Sequence, residues 1–268
     1  MQPLEIRTKK GASRYNIEAL ARGLEVLELF TSENSSLSLT EIVTSLKVNK
    51  SRIFRVLSTL ETMGYLEHDP ATRRYRPSLK VLQLGFTAIN SLQVRQVAHP
   101  YLERLAQEGG ETVSLCVLDG TNVIYVDRVR NRAIVGVLLD IGSHVAAHCT
   151  TMGKVLLANL MPGDLKKLLK SAELTQYTTR TITNRQALLS ELSKVRKNGY
   201  AICDGELAVG LRAAGAPIRD HSQKTVAAMN VSGSVTTISL QRLKNEIVPA
   251  VVKTATQISL ALGYTPGR

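Results

Sequence analysis

Apolar residues recur at Ile53, Val56, Leu57 and Leu60, the i, i+3, i+4, i+7 spacing of a helix with one buried face. At about 100° per residue, with Ile53 at zero, the other three fall within about 60° of it. Ser51, Arg55, Ser58, Thr59 and Thr62 lie between about 140° and 240°, on the opposite side, with Arg52 on the flank. The pattern upstream predicts a helix over residues 17–30, with Leu20, Leu24, Val26 and Leu27 inward, then a polar loop over 31–37. Ser38-Leu39-Thr40-Glu41 has the S-x-x-E form of a capping box and opens a short helix ending near Leu46. Lys47-Val48-Asn49 is a turn, and Asn49 is placed to cap the amides of the helix over 50–63, which Gly64 stops. Residues 65–68 and 74–76 flank Asp69-Pro70-Ala71-Thr72, a strand, turn and strand, and Pro77 ends the second strand.

Residues 79–91 form a mostly apolar helix that links two domains, and a further helix is expected after Pro100. From Glu111 the apolar period changes to two. Strands are predicted at 112–118 and 123–129, joined by Asp119-Gly120, a strong hairpin signal. A third strand is expected over 134–139. Helices follow at 151–160, 162–169 and 184–197, strands at 200–203, 214–219 and 225–232, and a last helix at 239–262. With 268 residues, this order gives an α+β chain in two domains. The expected boundaries are a polar tail at 1–14, an N-terminal domain at 15–78, a linker at 79–95 and a larger C-terminal domain at 96–268.

A hydrophobic content of 44% and a charged content of 21% are those of a globular protein. No apolar run reaches the roughly 18 residues of a membrane helix. The opening segment has bases but no apolar stretch behind them, so no membrane association and a cytoplasmic location are expected. Cys116, Cys149 and Cys203 are odd in number and widely spaced, which fits reduced, buried thiols. The net charge of +12 invites a nucleic-acid partner, but its distribution tempers that: residues 1–90 hold 13 bases and 9 acids, leaving most of the surplus further on.

Local clustering carries the case instead. Lys47, Lys50, Arg52 and Arg55 stand without an acid among them, as do Arg73, Arg74, Arg76 and Lys80 beyond the helix. A capped helix, a three-residue turn, a basic helix and a basic hairpin make a winged helix-turn-helix whose second helix presents its polar face to the major groove. Ser51, Arg55, Ser58 and Thr59 are placed to reach base edges, Lys50 and Arg52 to meet phosphates, and Arg73 and Arg74 to act from the wing.

Residues 17–77 resemble the winged helix-turn-helix of the IclR family of bacterial transcriptional regulators. CTTMGKVLLANL at 149–160, GYAICDGELAVGLRAAGAPIRD at 199–220 and AAMNVSG at 227–233 resemble the same family's effector domain, so the likeness spans about residues 15–264. HCTTMGKVLLA and AAMNVSG look most like the branch that controls aromatic-acid catabolism through the β-ketoadipate pathway. The resemblance implies a GAF-like α/β effector domain: a curved antiparallel sheet with a pocket closed by a loop and a helix N-terminus. Carried over by motif, the pocket includes Thr151 and Met152 at the helix start, Asp204, and Ala216, Asn230 and Ser232 on the two following strands. Asp204 is expected to accept from an effector hydroxyl or to pair with Arg212. Leu138 and Leu139 are placed for an apolar wall or for core packing. A helix N-terminus at Thr151 suits an acid independently, because free amides and the positive dipole end gather there.

The family also implies a homodimer, formed near the first helix and the linker, that sets two basic helices about one DNA turn, ~34 Å, apart, and a tetramer of two such dimers. Expected partners are operator DNA, an aromatic acid effector and RNA polymerase. A short-chain effector such as a keto acid, and a ligand-independent architectural protein, are the alternatives. No catalytic residues, cofactor or metal are expected. There is no G-x-S-x-G elbow, Val155 replaces the Ser or Thr of a phosphate loop after Gly153-Lys154, and His144 and His148 lie in a non-helical stretch that does not bring them together.

Overall fold

The computed structural model describes residues 17–31, 34–130 and 139–265. The chain divides into two compact units, Met1–Ala88 and Ile89–Arg268, and the division falls inside the apolar helix expected to link them.

In the first unit the order is α1 (Glu18–Glu28), β1 (Leu37–Ser38), α2 (Leu39–Leu46), α3 (Lys50–Thr62), β2 (Leu66–Asp69), β3 (Arg74–Pro77) and α4 (Lys80–Asn90). The capping box forms: Ser38 Oγ accepts from the Glu41 amide at 3.3 Å, and Glu41 Oε2 accepts from the Ser38 amide at 2.7 Å. Asn49 Oδ1 accepts from the Ser51 amide at 2.9 Å and starts α3. Val26, Ile42, Ile53, Leu57, Leu60, Leu66 and Tyr75 form one small core. The short β1, which the apolar pattern does not mark, adds a third strand to the hairpin in the antiparallel order β1-β3-β2.

One expectation for α1 fails. Val26 is buried, but Leu20 and Leu24 are 61% and 53% exposed. The core is small enough to be filled from α1 by Val26 with Leu27, so the 20/24 stripe of the same helix turns outward. Helix α4 likewise buries none of its residues within the chain, although Leu82, Leu84 and Phe86 are apolar.

The second unit comprises α5 (Gln93–Gly109), β4 (Thr112–Asp119), β5 (Asn122–Val129), β6 (His144–Ala146), a 3₁₀ turn (Ala147–Cys149), α6 (Thr151–Ala158), α7 (Pro162–Ser171), α8 (Arg185–Asn198), β7 (Ala201–Asp204), β8 (Leu211–Arg219), β9 (Thr225–Ser234), a short α9 (Leu240–Arg242) and α10 (Val248–Ala261). The expected strand over 134–139 lies almost wholly outside the described residues. Pro100 does not precede a helix but sits inside α5, where it removes one backbone hydrogen bond. The buried stripe of Val94, Ala98, Leu102, Leu105 and Ala106 continues through it, and that burial outweighs a cost of about 3 kcal/mol. The expected final helix is interrupted by a π segment at Leu243–Ile247, between α9 and α10.

The six strands form an antiparallel sheet in the order β6-β5-β4-β9-β8-β7. Its two faces bury different cores. Val113, Leu115, Met229, Val231, Ala214, Ala216 and Ile218 pack with α5 and α10. Cys116, Tyr125, Ala201 and Ala228 pack with α6 and α8. Pairing register therefore decides which side chains share a face.

Candidate DNA-binding face and effector cavity

Helix α3 turns Ile53, Leu57 and Leu60 inward and leaves Lys50, Ser51, Arg52, Arg55, Ser58 and Thr59 exposed. The wing residue Arg73 is exposed and Arg74 half-buried. These eight residues are not equally free. Arg52 Nη1 lies 2.7 Å from Glu18 Oε1 of α1. Arg74 donates to the Ser36 carbonyl at 2.8 Å and lies 3.0 Å from Glu41 Oε2, so it ties β3 to α2. Thr59 Oγ1 donates to the Arg55 carbonyl one turn back, at 2.9 Å. Arg52, Arg55 and Thr59 also border a groove of about 800 Å³ against α1, walled by Leu20, Leu24 and Leu27. The outermost arc of the helix is thus Lys50, Ser51, Arg55 and Ser58, together with Phe54, which is 55% exposed and which the apolar pattern did not single out. Phe54 stands on the flank between the buried stripe and the cations. Only its exposure in the fold separates it from a core residue.

On the wing, Arg73 occupies the left-handed turn position with φ 56°, while Arg76 is held by Glu67 at 2.7 Å. Lys80 Nζ donates to the Met63 carbonyl at 2.7 Å and lies over the Tyr65 ring. These contacts leave Arg73 as the hairpin cation whose side chain makes no hydrogen bond or ion pair among the described residues, its backbone amide donating to the Asp69 carbonyl at 2.8 Å.

In the second unit a cavity of about 40 Å³ lies where the N-terminus of α6 meets the sheet. Its lining includes Arg128, Thr151, Cys203, Glu206, Asn230 and Ser232, with Leu139, Leu207 and Leu211 as apolar neighbours. Thr150 Oγ1 accepts from the Gly153 amide at 3.0 Å and caps the helix. Gly153 is needed there, since a Cβ on it would come within 2.1 Å of the Ala147 carbonyl oxygen. Gly215 serves the same approach from the sheet side, where a Cβ would press to 3.0 Å on Thr151 Oγ1. With both side chains absent, Asn230 Nδ2 reaches Thr151 Oγ1 at 3.4 Å.

Of the six residues carried to this pocket by motif, Thr151, Asn230 and Ser232 line the cavity. The other three lie elsewhere. Met152 is fully buried in the core between α6 and the sheet. The β8–β9 register sets Gly215 opposite Asn230 and Ala216 opposite Met229, so Ala216 points to the α5/α10 face. Asp204 pairs in register with Arg212 on that same face, since its strand neighbour Ile202 packs there. Arg212 Nε lies 2.7 Å from Asp204 Oδ1 and Arg180 Nη1 2.5 Å from Oδ2. Burial works against the Asp204 charge, but the hydrogen bonds from these two arginines prevail and hold its carboxyl below the usual aspartate range. Leu138 lies outside the described residues, and Leu139 both lines the cavity and packs on the α6 core.

Arg128, Glu206 and Cys203 line the cavity without having been foreseen. A bulge in the β4–β5 pairing between Leu115 and Cys116 brings Arg128 to this face beside Tyr125. Lys154 on α6 is only 1% exposed, and its Nζ lies 2.6 Å from Glu206 Oε1. Burial disfavours its charge, yet the Glu206 carboxylate hydrogen-bonded to it prevails and raises its pKa. The three cysteines are free and buried. Burial and the nearby Glu206 push the Cys149 thiol up to about 12, and burial drives Cys116 and Cys203 well above the usual thiol range, so all three stay protonated. His148 is buried and bonded to the Thr175 carbonyl at 3.0 Å, while His144 is exposed on β6. No cluster of three or more metal-ligating side chains occurs among the described residues.

An exposed basic helix on a winged helix-turn-helix, joined in one chain to an α/β unit with a polar cavity at a helix N-terminus, defines a DNA-binding regulator with its own sensor domain. Residues 19–70 match the IclR helix-turn-helix domain and residues 86–260 the C-terminal domain of the bacterial transcriptional regulator IclR. The chain is 32% identical over 235 residues to the Pca regulon regulatory protein of Pseudomonas putida, covering 87% of this chain and 80% of that one. It superposes on the crystal structure of the Thermotoga maritima IclR with a TM-score of 0.72 at 30% identity, covering 91% and 98% of the two chains. An IclR homologue from Microbacterium hydrocarbonoxydans, solved in complex with 4-hydroxybenzoate, shares the fold with a TM-score of 0.79 at 24% identity, covering 91% and 98%. The chain belongs to the IclR family of transcriptional regulators and is not an enzyme. Among the described residues no helix is long and apolar enough to cross a membrane.

Proposed function

We propose that this regulator binds a pseudo-palindromic operator as a cytoplasmic homodimer and releases or grips it in response to a small aromatic acid. The observation that carries the DNA half is the outer arc of α3, where Lys50, Ser51, Phe54, Arg55 and Ser58 stand exposed opposite a fully buried stripe. Arg55 is assigned to a base edge, Lys50 and Arg73 to phosphates, and Ser51 and Ser58 to either. Arg52, Thr59 and Arg74 are assigned to holding the face in place, through the contacts that already engage them.

The dimer reading is supported by the unburied apolar stripes of α1 and α4: Leu20, Leu24, Leu84 and Phe86 are each more than half exposed. Two such dimers assemble a tetramer on DNA, and RNA polymerase is the expected contact downstream. The effector half rests on the cavity at the start of α6. The aromatic class is supported by the 4-hydroxybenzoate held by a homologue of the same fold. One observation favours a second reading. The cavity of about 40 Å³ is far smaller than the roughly 150 Å³ that an engineered apolar cavity offers to benzene, which fits a short-chain keto acid better.

Footprinting on the promoter region beside the gene, with and without a panel of aromatic and short-chain acids, tests both halves. Asn230→Leu is expected to abolish the response to the active acid while leaving operator affinity within about twofold. A normal response in that variant removes β9 from the effector site.

A further inference from the structure

Arg95 Nε, Ser114 Oγ, Arg128 Nε, Glu206 Oε2 and Asn230 Oδ1 are the buried side-chain polar atoms without a hydrogen-bond partner among the described residues. All but Arg95 belong to one patch. In register, Arg128 pairs with Ser114 across β5 and β4, and Ser114 with Asn230 across β4 and β9, so the three form a row on the face toward α6. Glu206 enters the same cavity from the segment after β7, with one oxygen on Lys154 and the other free. Ser114, Asn230 and Glu206 are each more than nine-tenths buried. Unpaired buried polar atoms are costly, and three of these four, on Arg128, Glu206 and Asn230, line one cavity with Ser114 beside them in the row, which marks a place built for a polar guest.

The character of the free atoms narrows the guest. Arg128 is a cation with no carboxylate within ion-pair distance among the described residues; its neighbour Asp127 is engaged by His99 instead. Lys154 and Glu206 neutralise each other, which leaves the cavity with one uncompensated positive charge beside the positive end of α6. Glu206 Oε2 and Asn230 Oδ1 offer only acceptors, which an acid without a donor leaves unpaired. We infer that the effector is a hydroxy acid, with its carboxylate against Arg128 and the N-terminus of α6 and its hydroxyl donating to Glu206 Oε2. This rests on the acid-sensor reading above and adds to it the second group that the ligand must carry.

Calorimetric titration of the full-length protein with two matched pairs, 4-hydroxybenzoate against benzoate and glycolate against acetate, separates the hydroxyl from the size of the acid. In whichever pair binds, the hydroxy acid is expected to bind about tenfold to a hundredfold tighter, the range for a hydrogen bond to a buried charged group. Glu206→Gln turns the free acceptor into a donor while keeping a partner for Lys154, and it is expected to shrink that ratio below about threefold. Arg128→Gln is expected to weaken both members of the pair at least about tenfold. Thermal melts of both variants report folding, and the wild-type ratio needs no variant at all. Equal affinity for hydroxy and unsubstituted acids, or an Arg128→Gln variant that binds like the wild type, overturns the inference and leaves the acid-sensor reading standing. Binding of neither pair, with a short-chain keto acid such as pyruvate also inert, overturns both.

Discussion

Helix α3 turns three side chains inward and offers most of the rest to solvent, whereas α6 buries all eight of its residues, Lys154 among them. The two helices carry their chemistry in opposite ways. On α3 the functional groups lie along a flank, so the same 3.6-residue period that fixes the buried side also fixes the face that meets DNA. On α6 there is no free flank, and the chemistry gathers at its N-terminus, with partners supplied by four strands distant in sequence. A helix used along its side tolerates changes in its outward residues. A helix used at its end depends on everything that holds that end in place.

The largest effect expected from this contrast is at Lys154. Lys154→Ala leaves Glu206 buried without its cation and should destabilise the second unit by about 3–5 kcal/mol, read as a fall in its thermal unfolding midpoint. An unchanged midpoint would mean that α6 is not held by this pair. On α3 the corresponding change should leave folding untouched. Arg55→Ala is expected to cost on the order of 1–3 kcal/mol at the operator with little loss on random DNA. Equal losses on both would show that Arg55 meets phosphate only.

A smaller effect belongs to Asp204, on the sheet face away from the cavity. Because Arg212 and Arg180 hold its folded carboxyl below the ordinary value of 3.8, its contribution to stability is complete above that pH and is lost as pH falls through the lower folded value. Asp204→Asn should therefore cost about 1 kcal/mol at neutral pH, and the gap to wild type should close on acidification below about pH 4. Because Asp204 lies outside the cavity, the effector response of this variant should be retained; its loss would bring Asp204 back into the site.

The contrast also explains how much was legible in the sequence. Both caps of the helix-turn-helix, the hairpins at Asp69-Pro70 and Asp119-Gly120, and the burial of Ile53, Leu57 and Leu60 follow from local chemistry, and the sequence pattern reaches them. Leu20 and Leu24 were misplaced because an apolar stripe reports what needs covering and not whether this chain covers it. Pro100 was misread as a boundary because tertiary burial along α5 overrode a local preference. The cavity was least accessible. Ala216 and Asn230 both sit on strands, yet one residue of pairing register puts them on opposite faces. Arg128 was hidden by the bulge, since plain alternation from Val123 and Tyr125 would bring Asp127, not Arg128, to the α6 side. Glu206 looks like a solvated loop acid until Lys154 is seen buried against it.

The most direct measurement is footprinting of a fourfold variant, with Lys50, Ser51, Arg55 and Ser58 all changed to Ala, on the promoter region beside the gene. These residues are exposed and support no core contact, so the variant should keep the wild-type unfolding midpoint and lose operator protection at concentrations where the wild type protects fully. Unchanged protection by that folded variant would show that the outer arc of α3 does not lie against the duplex.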